Sequence, residues 1–201
     1  MGVSCVTDMN DTLANLDDHK LIQRTLDGHQ DAFGHLIRKY QGRLYNGIVH
    51  IIRDPVEAED VVQDAFVLAL TKLDSFKGNS QFFTWLYRIG YNVAITKLRR
   101  KKPTVSIQGH EESFQMSLPD TAPAPSDRMN KQETAQQLMI AMKRISEEHR
   151  SILVLREMEE MDYETISQIL DLPVGTVRSR LHRARLQLKQ QMEIVMGEVD
   201  N

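Results

Sequence analysis

The clearest chemical pattern in the sequence is a basic helix near the C-terminus, which follows a short helix (Tyr163 to Leu170) and a tight turn. The helical period gives the basic helix one apolar stripe, and this stripe can bury against the short helix. The other side carries Arg178, Ser179, His182 and Arg183, flanked by Arg180 and Arg185. Arginine can donate two hydrogen bonds to guanine in the major groove. The pattern therefore predicts a helix-turn-helix that reads duplex DNA, with a solvated basic face on a structural helix as the alternative.

A second pattern, in the N-terminal half, mixes aromatic and cationic side chains on one predicted helix. Tyr87, Arg88 and Tyr91 lie opposite its apolar stripe (residues 82–93). Unpaired bases stack on aromatic rings while cations meet the phosphates, so this face suits single-stranded DNA. The alternative is that the aromatic side chains, that of Trp85 above all, belong to the hydrophobic core.

The loop before this helix consists of Lys77, Gly78, Asn79 and Ser80. Its small polar groups can hold one base extruded from a DNA strand at the start of the helix. At the far end of the same helix, the cationic run 99–102 suits contacts with phosphates better than the reading of bases. We therefore expect the loop to contribute to recognition and the cationic run to contribute to affinity.

A third pattern is an acidic face on the predicted helix from Pro55 to Leu73. Its polar side carries Glu59, Asp60, Gln63 and Asp64. Paired carboxylates can serve general acid–base catalysis or bind a metal, but no histidine lies at ligand spacing here. Negative charge in the first turns of a helix also complements the helix dipole. The face is therefore interpreted as a solvated helix start or a protein-docking surface, with no catalytic residue and no metal site.

The elements that must position these residues are almost all helical, because apolar residues recur with a helical period and almost nowhere alternate. Asp54 and Pro55 predict an N-cap and a first helical residue, and the apolar residues 62, 66, 69, 70 and 73 predict a buried face. The Pro-rich segment 103–130 lacks a sustained apolar period and is interpreted as a flexible linker. The prediction is an all-α chain of two small helical domains joined by that linker, the C-terminal one with a helix-turn-helix. The predicted segments are a tail 1–15, a domain 16–102, the linker 103–130, a domain 131–192 and a tail 193–201.

Composition limits the function classes. The chain has 201 residues, a net charge of −3 and a single cysteine, Cys5, so no internal disulfide framework is expected. Its longest apolar run, 65–70, falls far short of the roughly 18 residues needed to span a membrane. These features fit a cytoplasmic protein with no membrane insertion. No acidic residue occurs between Asp74 and Glu111 or between Asp171 and Glu193. The chain is therefore expected to have two basic surfaces although its net charge is negative.

Three segments resemble, in order, motifs of the extracytoplasmic-function (ECF) sigma factors of RNA polymerase, members of the sigma-70 family. Residues 54–66 (DPVEAEDVVQDAF) resemble the region 2.2 helix. Residues 76–89 (FKGNSQFFTWLYRI) resemble regions 2.3 and 2.4, and residues 172–185 (LPVGTVRSRLHRAR) resemble the region 4.2 signature. The resemblance spans most of residues 16–192 around a dissimilar linker. One departure is Thr96, where many members carry a carboxylate or an amide.

The resemblance implies that the chain binds core RNA polymerase, directs it to specific promoters and promotes melting of the DNA. The acidic face, Glu59, Asp60, Gln63 and Asp64, would dock on the clamp helices of the largest subunit, and the flap of the polymerase is a further expected contact. The minus-ten element would be read as a single strand by Lys77, Asn79, Ser80, Tyr87, Arg88, Asn92, Arg99 and Arg100. The minus-thirty-five element would be read in the major groove by Arg178, Ser179, Arg180, His182, Arg183 and Arg185. An anti-sigma factor is a further expected partner.

Such a protein is not itself an enzyme and needs no cofactor. One alternative is a helix-turn-helix regulator that acts without docking on polymerase, but this leaves the motif 54–66 and the aromatic helix unexplained. A hydrolase or metal enzyme is disfavoured because the sequence lacks a nucleophile elbow, a P-loop and clustered His or Cys residues.

Overall fold

The computed structural model describes residues 17–101 and 125–199, and within these residues it is helical without strands. The all-α prediction is therefore confirmed for this part of the chain. The helices are α1 (Asp18–Leu26), α2 (Gln30–Ile52), α3 (Pro55–Thr71), α4 (Phe82–Lys101), α5 (Pro125–Arg144), α6 (Glu147–Leu153), α7 (Tyr163–Leu170) and α8 (Val174–Val199). A short 3-10 turn (Leu73–Ser75) follows α3, and a π-helical segment (Val154–Met158) continues α6.

Short polar side chains define where several helices begin. Asp17, Asp54, Ser146 and Asp162 each accept a hydrogen bond from the main-chain N–H three residues later. Such caps satisfy N–H groups that have no partner within the helix. The predicted N-cap at Asp54, with Pro55 in the first turn, is confirmed.

Helices α1 to α4 form the first unit around one apolar core. Fully buried side chains such as Leu36, Leu44 and Leu86 meet at its centre. The buried-face prediction for α3 holds at Val62, Phe66 and Ala69 but fails at Leu70, because that side chain is 43% exposed. Helix α3 therefore carries apolar side chains on its solvent-facing side as well as on its buried side.

Helices α5 to α8 form the second unit, in which α8 packs against α5, α6 and α7. Helix α5 begins at Pro125, earlier than the domain start predicted at residue 131. Proline is tolerated in the first turn of a helix, so its presence there did not mark a linker. The rest of the predicted linker, 103–124, lies outside the described residues. Helix α8 continues past residue 192, and Val195 in this extension is buried.

The two units pack against each other along a seam. Helix α7 lies on α4, and the π-helical segment lies on α2. The apolar side chains of both units belong to one continuous buried cluster. At the edge of the seam the Arg43 Nε donates to the Glu159 carboxylate at 3.2 Å, and Arg88 pairs with Asp171 at 3.7 Å.

At the seam, two arginines cross in opposite directions to the ends of helices. Arg150, from the second unit, is 3% exposed, and its Nε donates to the carbonyl of Ile51 at the end of α2, at 3.1 Å. Arg53, from the first unit, donates through Nη1 to the carbonyl of Lys143 at the end of α5, at 3.0 Å. The last carbonyls of a helix have no partner within it, and cations there also complement the dipole. Each unit therefore caps a helix of the other.

Burial is the main reason that the pKa of Arg150 is lowered, to about 10, and the nearby Arg53 adds to this effect. The guanidinium thus stays charged at neutral pH, and its Nη1 also donates to the carbonyl of Ile145. A buried charge of this kind is costly to leave without hydrogen-bond acceptors. If the two units separated, the Arg150 guanidinium would lose its acceptor at Ile51, so this hydrogen bond favours the packed arrangement.

Arg150→Ala is expected to open the seam, because it leaves the carbonyls of Ile51 and Ile145 buried without this donor. The expected loss in the free energy of unfolding is about 2–4 kcal/mol. Small-angle X-ray scattering should show a larger radius of gyration, while circular dichroism should show unchanged helix content. Arg99→Ala, at an exposed position of α4, is the control. An Arg150→Ala protein as compact as the parent would contradict this role.

Candidate nucleic-acid and protein interfaces

The helix-turn-helix is formed by α7, a tight turn and α8. Asp171 ends α7 in the left-handed region (φ 55°), and the Ser167 hydroxyl donates to the carbonyl of Leu172 at 2.5 Å. On α8, Val177, Leu181 and Ala184 are at most 2% exposed. This apolar stripe fixes α8 against the rest of the unit and turns its other side outward.

The outward side of α8 carries four of the six residues expected to read duplex DNA. Arg178, Ser179, His182 and Arg183 are all exposed. The other two form ion pairs within the unit: Arg180 with Glu148 at 3.4 Å, and Arg185 with Glu157 at 2.7 Å. These two guanidiniums would have to leave a carboxylate in order to reach DNA.

Helix α4 carries the aromatic and cationic side chains expected to face a single DNA strand. Arg88, Asn92, Arg99 and Arg100 are exposed, and Arg88 pairs with Asp171 across the seam. Tyr91 is half-buried, and burial is the main reason that its pKa is raised. In this arrangement α7 covers part of the outer face of α4.

Tyr87 does not face outward as expected, because its side chain is fully buried in the core of the first unit. The ring passes Gly47 of α2 so closely that a Cβ at residue 47 would lie 2.8 Å from the ring carbon Cε2. Its hydroxyl has no hydrogen-bond partner among the described residues. A base has no access to this ring in this structure.

The loop of Lys77, Gly78, Asn79 and Ser80 lies over an aromatic cluster. Phe76 packs edge-on against Phe82 with ring centroids 5.8 Å apart, and Trp85 lies 5.2 Å from Phe76. Gly78 has a φ of 70°, which favours glycine and lets the chain turn here. Lys77 and Asn79 are exposed at the turn and Ser80 is half-buried.

The loop forms one wall of an open pocket with a volume of about 250 Å³. Gly78, Ser80 and Phe76 line it on this side, and Asp18 and His19 of α1 line it on the other. Sequence reasoning missed the contribution of α1, because residues 18 and 78 are distant in the chain. The arrangement offers a carboxylate, a hydroxyl and a ring edge within one cavity.

The acidic face of α3 is present, and Glu59, Asp60, Gln63 and Asp64 are all exposed. Lys97 of α4 lies 3.7 Å from Asp60 and 3.5 Å from Asp64, which partly neutralises the face. Sequence reasoning missed the apolar residues on the same side: Val56, Val67 and Leu70, which are 69%, 62% and 43% exposed. Their positions repeat with a helical period together with 60 and 63, a signal that was available in the sequence. We call the line 56, 60, 63, 67 and 70 the α3 stripe.

A second cavity lies where α2 meets the second unit, and it has a volume of about 130 Å³. Its walls are mainly apolar and include Leu138, Met142, Leu153 and Met158. Leu138 and Met158 are 42% and 46% exposed. An apolar cavity with exposed rim residues is a common feature of protein-binding surfaces.

Both halves of the chain match known families. The family model for sigma-70 region 2 matches residues 36–104, and that for sigma-70, region 4 matches residues 135–188. The ECF RNA polymerase sigma-E factor of Escherichia coli (strain K12) is 37% identical over 176 residues, covering 85% of this chain and 91% of that protein. The ECF sigma factor SigW of Bacillus subtilis is 33% identical, covering 86% and 95%. The chain belongs to the ECF sigma factors. It is a promoter-specificity subunit of RNA polymerase, and sigma factors in general are not enzymes.

Solved structures agree with this assignment. CnrH in complex with the cytosolic domain of CnrY is similar with a TM-score of 0.62 and 25% identity, covering 88% of this chain and 97% of that one. RpoE in complex with the anti-sigma factor NepR from Bartonella quintana has a TM-score of 0.63 at 23% identity, over 81% and 97%, and supports the fold. None of the described helices of this sigma factor is long and apolar enough to cross a membrane. Across the described residues, no group of three His, Cys, Asp or Glu side chains is placed to hold a metal ion.

The close passage of Tyr87 past Gly47 gives a stability test of the core position of this ring. Gly47→Ala is expected to lower the free energy of unfolding by about 1–3 kcal/mol, because the new methyl group overlaps the ring. Tyr87→Phe should be close to neutral, since it removes a buried hydroxyl that has no partner. The double variant should recover part of the loss, and urea unfolding measures all three. Gly42→Ala, where a Cβ meets nothing within 4 Å, is the control. Strong destabilisation by Tyr87→Phe alone would contradict this reading.

Proposed function

We propose that the chain positions core RNA polymerase at promoters through three separate surfaces: α8 on duplex DNA, the loop and α4 on a single strand, and the α3 stripe on polymerase. The observation that carries the proposal is that one chain exposes both a basic major-groove face on α8 and a mixed apolar and acidic stripe on α3. Residues 16–102 and 125–199 are proposed as regions 2 and 4, joined by a linker shorter than the sequence predicted, 103–124, with a tail at 1–15.

Duplex recognition at the minus-thirty-five element is assigned to Arg178, Ser179, His182 and Arg183. Their exposure and the buried stripe behind them fit a recognition helix in the major groove. Arg180 and Arg185 join this surface only when they exchange Glu148 and Glu157 for phosphate, so we propose them as phosphate contacts.

Recognition of the opened minus-ten strand is assigned to the loop and the exposed side of α4. Ser80 lines the pocket that would take an extruded base, and Lys77 and Asn79 are exposed on the same loop. Arg88, Asn92, Arg99 and Arg100 then follow the strand along α4. Tyr87 is left out of this surface because it is buried, and it supports α4 from within the core.

Docking on the clamp helices of the polymerase is assigned to the α3 stripe with Glu59 and Asp64. Exposed valine and leucine beside partly neutralised carboxylates give an apolar centre with a polar rim, as protein interfaces have. The apolar cavity beside α5 and α6 is proposed to receive the flap of the polymerase.

An anti-sigma factor is proposed as a further partner. The similar structures of CnrH and RpoE each contain a second protein, the cytosolic domain of CnrY and the anti-sigma factor NepR. The protein is proposed to act in the cytoplasm, without catalysis of its own and without a cofactor or metal. A regulator that acts without polymerase is not favoured, because it would have no use for region 2.

The seam between the units bears on this function. Helix α7 covers part of α4, and Asp171 pairs with Arg88, which is one of the proposed strand contacts. We propose that the seam opens when the chain binds polymerase, since the outer face of α4 must be uncovered to meet DNA.

Run-off transcription with core polymerase, with and without this protein, tests the proposal. Specific transcripts are expected only with the protein and only from templates that carry its promoter. Binding of the isolated protein to duplex sites with no effect of core polymerase would instead support the regulator.

Docking through the α3 stripe predicts that Gln63→Ala combined with Val67→Ser weakens binding to core polymerase by about tenfold or more. Both side chains are exposed, so helix content should not change. Affinity is measured by fluorescence anisotropy against core enzyme, and Lys72→Ser, at the end of α3, is the matched control. If core affinity stayed within twofold of the parent, the docking face would have to lie elsewhere.

Reading by α8 predicts that Arg178→Ala and Arg183→Ala each cost about 1–3 kcal/mol of duplex discrimination by the holoenzyme. Core binding should be unchanged, because neither residue lies on α3 or lines the cavity proposed for the flap. Lys189→Ala, an exposed cation further along α8, is the control and should not alter base preference. Loss of core binding in either arginine variant would show that the two roles are not separate.

A further inference from the structure

The pocket beside the loop has a charged wall that the proposed function leaves unused. Asp18 and His19, in the first turn of α1, face the same cavity as Ser80, Gln81 and Phe76. Helix α1 begins at this point because Asp17 caps it, accepting from the N–H of Lys20 at 2.9 Å. The cavity is therefore bounded by the loop on one side and by a fixed helix start on the other.

The Asp18 carboxylate is held in place by two donors from α2. Oδ1 accepts from Lys39 Nζ at 2.7 Å, and Oδ2 accepts from the Tyr40 hydroxyl. Burial is the main reason that the pKa of Tyr40 is raised, and its hydrogen bond to Asp18 adds to the shift. The phenol therefore remains a donor at neutral pH.

The position of Tyr40 is in turn fixed by the aromatic cluster below the loop. Its ring lies 5.4 Å from that of Phe83 in a stacked arrangement and 5.7 Å from that of Phe82. One set of rings thus supports both the loop and the partner of Asp18. The carboxylate is rigidly placed before any ligand arrives, which favours selectivity.

The chemistry of a carboxylate limits what it can recognise. An ionised carboxylate only accepts hydrogen bonds and offers about four lone-pair sites, of which Lys39 and Tyr40 occupy two. Adenine, cytosine and guanine each carry an exocyclic amine that donates, whereas thymine presents a carbonyl oxygen in its place. A carbonyl oxygen against a carboxylate oxygen leaves two acceptors in contact, which is unfavourable.

We propose that Asp18 determines base specificity in this pocket by accepting a hydrogen bond from the exocyclic amine of the extruded base. The position read there accordingly selects an amine-bearing base and rejects thymine. This inference rests on the proposed function, since it requires a strand of the opened promoter to pass the loop.

The surroundings fit a base rather than a cation. Lys39 already balances the charge of Asp18, and Lys77 is exposed on the loop. Phe76 is half-buried at the wall and offers a ring for stacking, while Ser80 and Gln81 can donate or accept at other atoms of the base.

The test compares holoenzymes that contain the parent protein or Asp18→Asn. Each selects active promoters from a library randomised over the minus-ten region. Asparagine keeps the size of the side chain, but it has two lone-pair sites in place of about four, and its NH2 group can donate to a thymine carbonyl. For the parent we expect one position at which thymine is depleted by about tenfold or more. For Asp18→Asn we expect this depletion to fall below about threefold at that position alone.

Asp74→Asn, on the exposed turn after α3, is the matched control and should give the parent profile. A second measurement does not depend on the folding of any variant. At the selected position the parent holoenzyme is offered purine in place of adenine, or 2-pyrimidinone in place of cytosine. Loss of the amine alone should weaken promoter binding by about as much as thymine does.

Two results would overturn the inference: an unchanged profile with Asp18→Asn, or full binding of the parent holoenzyme to the analogue without an amine. Failure of the proposed function looks different. In that case the parent holoenzyme would select no promoter at all, and neither comparison would show base preference at any position.

Discussion

The buried guanidinium of Arg150 is the contact on which the relation between the two helical units depends. It caps the end of α2 in the other unit, while Arg53 returns the same contact to the end of α5. Arg53 also occupies a left-handed backbone position (φ 67°), where glycine is the usual residue. An arginine is unfavourable in this backbone conformation, but its side chain makes the hydrogen bond across the seam to Lys143.

This arrangement sets which surfaces are accessible. With the seam closed, the reading side of α8 and the α3 stripe are exposed, whereas α4 is partly covered by α7. The surfaces proposed for polymerase docking and duplex reading are therefore exposed before the seam opens, whereas the surface proposed for a single strand is uncovered only when it opens.

Inside the first unit, packing and recognition depend on the same aromatic side chains. Tyr40 stacks on Phe83, and Phe82 and Phe76 continue the cluster up to the loop. The aromatic pattern in the sequence was open to two interpretations, core or DNA contact. The structure assigns Tyr87 to the core and leaves Phe76 half-buried at the pocket wall. A ring that supports a loop can shape recognition without stacking on a base.

The sequence by itself determined the all-α fold, the N-cap at Asp54 and the helix-turn-helix, because each follows from local spacing along one helix. It also determined that Arg178 and Arg183 face away from the stripe on α8, since the helical period alone fixes that relation. Only the tertiary structure decided that Arg180 and Arg185 are engaged with carboxylates, and that Asp18 shares a pocket with Ser80. Those contacts join residues far apart in the chain, and their geometry depends on how whole helices pack rather than on any local pattern. The burial of Tyr87 has the same origin, because its ring occupies the space that a side chain at residue 47, on a different helix, would fill.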